Sequence, residues 1–245
     1  MKVFGREIIH LSNVNSTNNY AAMLISDQLC QNGTAILADS QSYGKGQRGN
    51  SWYSQPSKNI LVSFIFNPDN LSVSRQHELT WKTSICLVKT LAKFNIEANV
   101  KWPNDIFVNG KKIAGILIEN QIMGELISSS IIGIGLNVNQ QHFGGLEATS
   151  LFNEIHIEVS KELVFQELCD QMDYFFKQVS KEEIDLIKFE YDSILYQRNE
   201  LCKYEDLKGP FQGEIIGVKS NGFLQLQVGN ETREYGIKEI RYLSK

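Results

Sequence analysis

Three cationic side chains, Lys45, Arg48 and Lys112, stand in segments made otherwise of glycine, amide, hydroxyl and small apolar residues. Cations placed this way can bind an anion, or offset charge that grows in a transition state. Lys45 and Arg48 belong to Gly44-Lys45-Gly46-Gln47-Arg48-Gly49. By letters this is GxGxxG, but a dinucleotide turn must open a helix. Here the chain runs on through Asn50, Ser51, Trp52 and Pro56 into another strand pattern. A phosphate loop of the GK[ST] type is absent as well. Two readings stay open: a flexible loop whose N–H groups and cations fold over an anion, or an ordinary polar surface loop.

Three further segments carry chemistry. In Lys101-Trp102-Pro103-Asn104-Asp105, Asn104 has the donors and acceptor that a base edge requires. Lys101 could reach a phosphate, and Asp105 a metal ion or a hydroxyl. The same letters also suit a plain turn. In the segment from Lys111 to Glu119, KKIAGILIE, strand alternation puts Lys112 on one face and Ile113 on the other. Lysines at a hairpin end can equally serve as edge protection. Gly115 inside the strand marks close approach by a ligand or by other backbone. Gly133-Ile134-Gly135-Leu136-Asn137-Val138-Asn139 repeats that theme and adds an amide, or else marks a bulge.

These segments need a framework. Ser16, Thr17 and Asn18 supply N-cap chemistry between a short strand and a helix. Thr34 to Asp39 reads as a buried strand. It is followed by a polar loop of about 20 residues, unusual in a compact domain and often functional. A second buried strand ends at Pro68. Residues 75 to 94 predict a long helix with Leu79, Ile85, Val88 and Ala92 near one face. Asn109-Gly110 is a hairpin signal. Two amphipathic helices are expected over 160 to 198. Beyond Arg198, short apolar runs separated by Asn221-Gly222 and Gly229-Asn230 predict close-set strands, a small β-barrel of roughly 45 residues. The expected organisation is an α+β domain over 1–198 and a β domain over 199–245.

Composition narrows the function. The 245 residues carry 24 lysines and arginines against 28 aspartates and glutamates, a formal charge of -4. A protein built for phosphate backbones carries a basic excess, so no DNA partner is expected. Four cysteines, Cys30, Cys86, Cys169 and Cys202, form no CxxC, which speaks against zinc and against a disulfide framework. No apolar run approaches the ~20 residues of a membrane span, and no signal stretch opens the chain. A cytoplasmic protein is expected.

Taken in order, Ser16-Thr17-Asn18, Gln41, the Gly44–Trp52 loop, KWPND at 101–105, KKIAGILIE at 111–119 and GIGLNVN at 133–139 resemble the biotin–protein ligase family. The resemblance runs from about residue 8 to the C-terminus. It implies a mixed β-sheet flanked by helices, like the catalytic domain of class II aminoacyl-tRNA synthetases, with a C-terminal SH3-like β-barrel. It also implies the reaction: biotin and ATP as substrates with Mg²⁺, then transfer of biotin from biotinyl-5′-AMP to a lysine of a biotin carboxyl carrier protein of acetyl-CoA carboxylase. Lys112 matches the lysine that contacts carboxylate and α-phosphate. Arg48 and Lys45 match the loop positions that close over the intermediate. Biotin would be held by Ser16, Thr17, Asn18, Gln41, Gly44, Lys45, Gly46, Gln47, Lys112 and Gly115. Trp52 would form the tail wall or order the loop. With Arg48, Lys101, Asn104 and Asn137, Trp52 also belongs to the nucleotide side, and Asp105 is the Mg²⁺ or ribose contact.

Two departures follow. Many members carry arginine where this chain has Gln47, which implies faster leakage of the adenylate. About 15 residues precede the Ser-Thr-Asn block, too few for a DNA-binding domain, so a monofunctional ligase without that domain is expected. A homodimer is left open. Lipoate–protein ligase is the nearest alternative, but its Arg-Arg and triple-glycine signatures are missing. A non-enzymatic biotin-sensing regulator is the other.

Overall fold

The computed structural model describes residues 2–177 and 181–243, with Arg48 and Lys181 described in their backbone alone. Seven strands build the main sheet: β1 (Ile8–Leu11), β2 (Ala35–Ala38), β3 (Ile60–Phe66), β4 (Asn99–Lys101), β5 (Asp105–Val108), β6 (Lys111–Met123) and β7 (Leu126–Leu136). Their order is β1-β2-β3-β7-β6-β5-β4. β1 and β2 run parallel and the other neighbours antiparallel. The sheet is thus mixed, as expected.

Each face has a different task. Ile60, Val62 and Phe64 of β3 and Ile132, Ile134 and Leu136 of β7 point to the main core. That core is closed by α2 (His77–Ala92), α4 (Lys161–Phe175) and α5 (Lys181–Ser193). The alternate residues Ile65 and Ile131 meet Ala21 and Leu24 of α1 (Thr17–Ser26) on the other face. A strand buried on both faces reads as a continuous apolar run, and ILVSFIF is nearly one, with Ser63 its exception. The helical face over 75–94 departs from expectation in one place. Ala92 is exposed and Leu91 fills the buried position.

Asn109 and Gly110 both take positive φ, 50° and 76°, and turn β5 into β6 as their letters predict. β6 and β7 extend well past the motif residues, to a turn at Gly124. A short helix that sequence reading did not anticipate, α3 (Leu151–Ile155), has its first turn capped by Ser150. The C-terminal strands β8 (Leu201–Asp206), β9 (Gly209–Val218), β10 (Leu224–Val228), β11 (Glu231–Tyr235) and β12 (Arg241–Tyr242) form a second, antiparallel sheet. Its order is β11-β10-β9-β8-β12. Trp102 donates its indole N–H to the Gly222 carbonyl at 3.1 Å, and Asp192 accepts the Val218 N–H at 3.0 Å. These bonds tie the second sheet to the first unit. No helix of the described residues is long and apolar enough to cross a membrane, and the four cysteines are free thiols.

Candidate active site

A cavity of about 290 Å³ opens on the α1 face of the sheet. Ser16, Thr17, Asn18, Gln41, Lys45, Gly46, Gln47, Trp52, Asn104, Asp105, Lys112 and Gly115 all line it. These residues come from five separate stretches of chain, and the topology explains their meeting. β5, β6 and β7 are neighbours, and Asp105, Gly115 and Gly135 lie in one cross-strand row. Leu117, Gly133 and Ser63 form a second row.

The missing side chains in these rows make the room. A Cβ on Gly135 would sit 2.4 Å from the Trp52 ring, and one on Gly115 would sit 3.0 Å from it. The indole therefore lies directly on the sheet. A Cβ on Gly133 would sit 2.3 Å from Asn18 Oδ1. Glycines inside strands that read as close approach are filled here by Trp52 and Asn18, in keeping with the physical reason for such glycines.

Lys112 reaches this face because of a bulge. Strict alternation would place Lys112 opposite to Gly115. The register shifts instead: Ile106 pairs with Ala114 and Phe107 with Lys112, leaving Ile113 as the extra residue. Ile113 and Ala114 are consequently both buried, and Lys112 emerges beside Gly115 and Asp105. Such a bulge re-aims a side chain. The Lys112 ammonium is 2.6 Å from the Asp105 carboxylate and 5.4 Å from the Trp52 ring centre.

The loop before Trp52 is a small hairpin. Lys45 bridges Ser51, Gly46 N–H donates to the Asn50 carbonyl at 2.7 Å, and Trp52 N–H to the Gly44 carbonyl at 2.8 Å. Gln47–Gly49 form a single 3₁₀ turn at its tip. This agrees with the missing dinucleotide helix. Lys45 holds Asn19 Oδ1 through its ammonium. Gly44 sits at the hairpin base outside the cavity wall, where a Cβ would come within 2.5 Å of the Trp52 carbonyl oxygen. The side chain of Arg48 lies outside the described residues.

Ser16 occupies the N-cap position of α1, yet its hydroxyl makes no capping bond. Gln41 does that work instead: its Oε1 accepts the Thr17 N–H at 2.7 Å. Ser16 lines the cavity with its hydroxyl uncommitted to the helix. Asn104 donates to the Ile116 carbonyl at 2.7 Å and lines the wall. Lys101 and Asn137 are not brought to the wall. Lys101 lies over the Phe107 and Tyr242 rings at 4.6 and 5.0 Å. Burial pushes its ammonium below the usual lysine value, against the pull of Asp105 and Glu147. Asn137 is buried, donates to the Thr149 carbonyl at 2.9 Å, and keeps Oδ1 unpartnered.

Several residues escaped the sequence reading. Ser63 and Glu119 join the floor network, and Ile237, Lys238 and Ile240, in the connection between β11 and β12, line the cavity. Ser63 had a signal, as the lone hydroxyl in an apolar strand. The residues at 237–240 had none, since nothing local in sequence shows which domain they face.

A divalent ion tests well against these residues. No group of three or more His, Cys, Asp or Glu that could hold a metal is present among the described residues. Mg²⁺ that travels with a nucleotide needs only one or two carboxylates beside phosphate and water, and Asp105 offers one.

Residues 11–137 match the model of the biotin/lipoate A/B protein ligase family. The chain belongs to that family. Among the family's curated proteins, the bifunctional ligase/repressor BirA of Bacillus spizizenii is 31% identical over 245 residues, covering 98% of this chain and 73% of that protein. The biotin–[acetyl-CoA-carboxylase] ligase of Paracoccus denitrificans is 31% identical over 106 residues, 42% of this chain and 43% of that one. The biotin protein ligase from Aquifex aeolicus, solved with biotin and ATP, superposes with a TM-score of 0.80 at 24% identity, covering 97% of this chain and 100% of that one. At that identity the likeness speaks for the fold, a mixed sheet with helices and a separate antiparallel sheet. Most residues that line the cavity fall within the matched stretch.

Proposed function

We propose that this chain is a biotin–protein ligase. It activates biotin with ATP to biotinyl-5′-AMP and passes biotin to a lysine of a biotin carboxyl carrier protein. The observation that carries this reading is the position of Lys112. A bulge turns its ammonium into a polar-floored cavity, beside glycines over which the Trp52 indole lies as a flat wall.

In the first step a biotin carboxylate oxygen attacks the α-phosphorus, and the bond from that phosphorus to the pyrophosphate oxygen breaks. Both reactants are anions, so the cavity must offset their repulsion. Lys112 stands where it can hold carboxylate and α-phosphate together. Its pair with Asp105 is partly exposed and therefore weak, about 1 kcal/mol or less, so incoming anions can take the ammonium over. In the second step the carrier's neutral amine attacks the anhydride carbonyl, an amide forms, AMP leaves and the nitrogen sheds its extra proton. Mg²⁺, held by Asp105 and phosphate oxygens, would neutralise charge on the triphosphate.

Ser16, Thr17, Asn18 and Gln41 would bind the ureido head, and Gly46, Gln47 and Gly115 would border it. Lys45 and Arg48, on the hairpin with Gly44, would close over the adenylate and keep water from it. Trp52 and Asn104 would serve the nucleotide side directly, and Lys101 and Asn137, packed away from the cavity wall, would support it from behind. We further read residues 199–245 as a separate unit of SH3-like barrel form and residues 1–198 as the catalytic unit. Free thiols throughout fit a reducing, cytoplasmic setting. Exchange of labelled pyrophosphate into ATP tests the activity. It is expected to require biotin and not lipoate; exchange with lipoate alone would overturn the assignment.

A further inference from the structure

Lys82 of α2 holds a charge in the protein interior that the ligase reading does not use. The residue is only 9% exposed. Its ammonium lies over the Phe176 ring, 5.7 Å from the ring centre, and has no hydrogen-bond or salt-bridge partner among the described residues. A lysine this buried is ordinarily paired, because an ammonium taken out of water without an acceptor is costly. Burial accordingly pushes it below the usual lysine value, while Glu78 pulls it up and Arg75 pushes it down.

Lys82 lines a second cavity, of about 280 Å³. The two cavities have no lining residue in common. Spacing explains how α2 reaches this one: Glu78, Leu79 and Lys82 recur at helical intervals and share a face. The other charges of the wall are already engaged. Glu78 accepts from Arg75 Nε and Nη2 at 2.6 and 2.9 Å. Asp173 Oδ1 accepts the Val3 and Phe4 N–H groups at 2.8 and 2.9 Å. Asp69 has a partner of its own. Lys177 is exposed to water and lies over the Tyr174 ring at 4.8 Å. The charge left over inside is that of Lys82.

The rest of the wall is largely apolar. Phe176 meets Phe4 and Phe66 edge-on, with ring centres 5.3 and 5.0 Å apart, and Leu71 and Leu79 border them. Such a pocket, apolar with a single placed charge, suits a small molecule with one polar end. A phosphate dianion fits poorly, since it would meet the three carboxylates of Asp69, Glu78 and Asp173 with one free ammonium to hold it. A single carboxylate matches the charge, and its hydrocarbon part matches the rings. We propose that this cavity binds a small monocarboxylic acid with an apolar body, its carboxylate on the Lys82 ammonium and its body against Phe66 and Phe176. The proposal does not depend on the biotin reading.

Calorimetric titration of the full chain tests it, with benzoate as the probe and benzamide as its neutral isostere. Wild-type protein should bind benzoate with a Kd on the order of 0.1–1 mM. Benzamide should bind about tenfold more weakly, for want of the charge-assisted contact. Lys82→Met keeps the length of the side chain and removes an uncompensated interior charge, so it should fold and should weaken benzoate about tenfold. Lys112→Gln, altered in the first cavity, should bind benzoate as the wild type does. The benzamide comparison needs no variant and stands whether or not Lys82→Met folds. Absence of saturable benzoate binding, equal binding of the two probes, or benzoate binding kept in Lys82→Met or lost in Lys112→Gln would overturn the proposal.

Discussion

The Lys112 ammonium lies 2.6 Å from the Asp105 carboxylate across neighbouring strands, both side chains about one-third exposed at 32% and 29%. A partly exposed pair adds little to stability, so its place at the cavity mouth serves charge placement. Replacing Lys112 by Gln is expected to slow adenylate formation about 10²–10³-fold, the range for losing one positioned donor. Thermal melting should stay within a few degrees of wild type. Single-turnover formation of biotinyl-5′-AMP measures the first, and a melting curve the second.

Gly135 and Gly133 give a prediction about space. A methyl group at Gly135 would meet the Trp52 ring at 2.4 Å, and one at Gly133 would meet Asn18 Oδ1 at 2.3 Å. Overpacking of this kind costs roughly 1–3 kcal/mol. Gly135→Ala should displace the indole and shift tryptophan emission, with weaker nucleotide binding. Gly133→Ala should weaken biotin binding and leave the emission alone. Equal effects of both variants on both ligands would contradict the division of the floor between Trp52 and Asn18.

His77 links acidity to the join between the two sheets. It packs against Trp81 at a tilt of 54° with ring centres 4.6 Å apart, and a Cβ at Gly222 would stand 3.1 Å from its own Cβ. Burial pushes its imidazole below the ordinary 6.5, with Glu78 and the Ser220 backbone pulling up and Arg75 pushing down. Below 6.5 the unfolded chain therefore takes up a proton that the folded one resists. Stability from this group is full above 6.5 and falls as pH drops below it. His77→Phe should flatten the fall in melting temperature between about pH 6.5 and 5. An unchanged slope would remove His77 from the account.

Gln47 sits at the tip of the hairpin and lines the cavity. An amide there keeps hydrogen bonding and gives up a charge. Gln47→Arg is expected to slow release of biotinyl-5′-AMP several-fold, in line with one added charge-assisted contact. Filter-binding of labelled adenylate over time reads it out. Release that is unchanged or faster would refute the charge argument.

Much of this site was legible in the sequence, and the reasons differ by residue. Asn109-Gly110 declared its turn because the turn needs two positive φ angles. Gly115 declared close approach because a strand seldom gives up a side chain without cause. Lys112 was found by its segment, but its orientation was not legible. Alternation alone sends it to the wrong side, and only the pairing partners on β5 reveal the shift. Glu119 is an ordinary letter in its strand and Ser63 only a hydroxyl in an apolar run, and the significance of both lies in Asn18 of α1, which bonds them. Lys101 and Asn137 were expected on the nucleotide side, whereas the structure gives each a partner away from the cavity wall. The second sheet could be foreseen as short strands, but not its contribution of Ile237 and Ile240 to the cavity, which is a matter of docking.

The surplus residue at Ile113 makes the hairpin a frame-reading device. Give β5 one more residue opposite Ile113 and the ladder could zip up without the bulge, while the ammonium would be swung into the oily interior beneath α2. Two proteins with nearly identical letters here could thus share an architecture and differ wholly in reactivity, distinguished by a count and not by a composition.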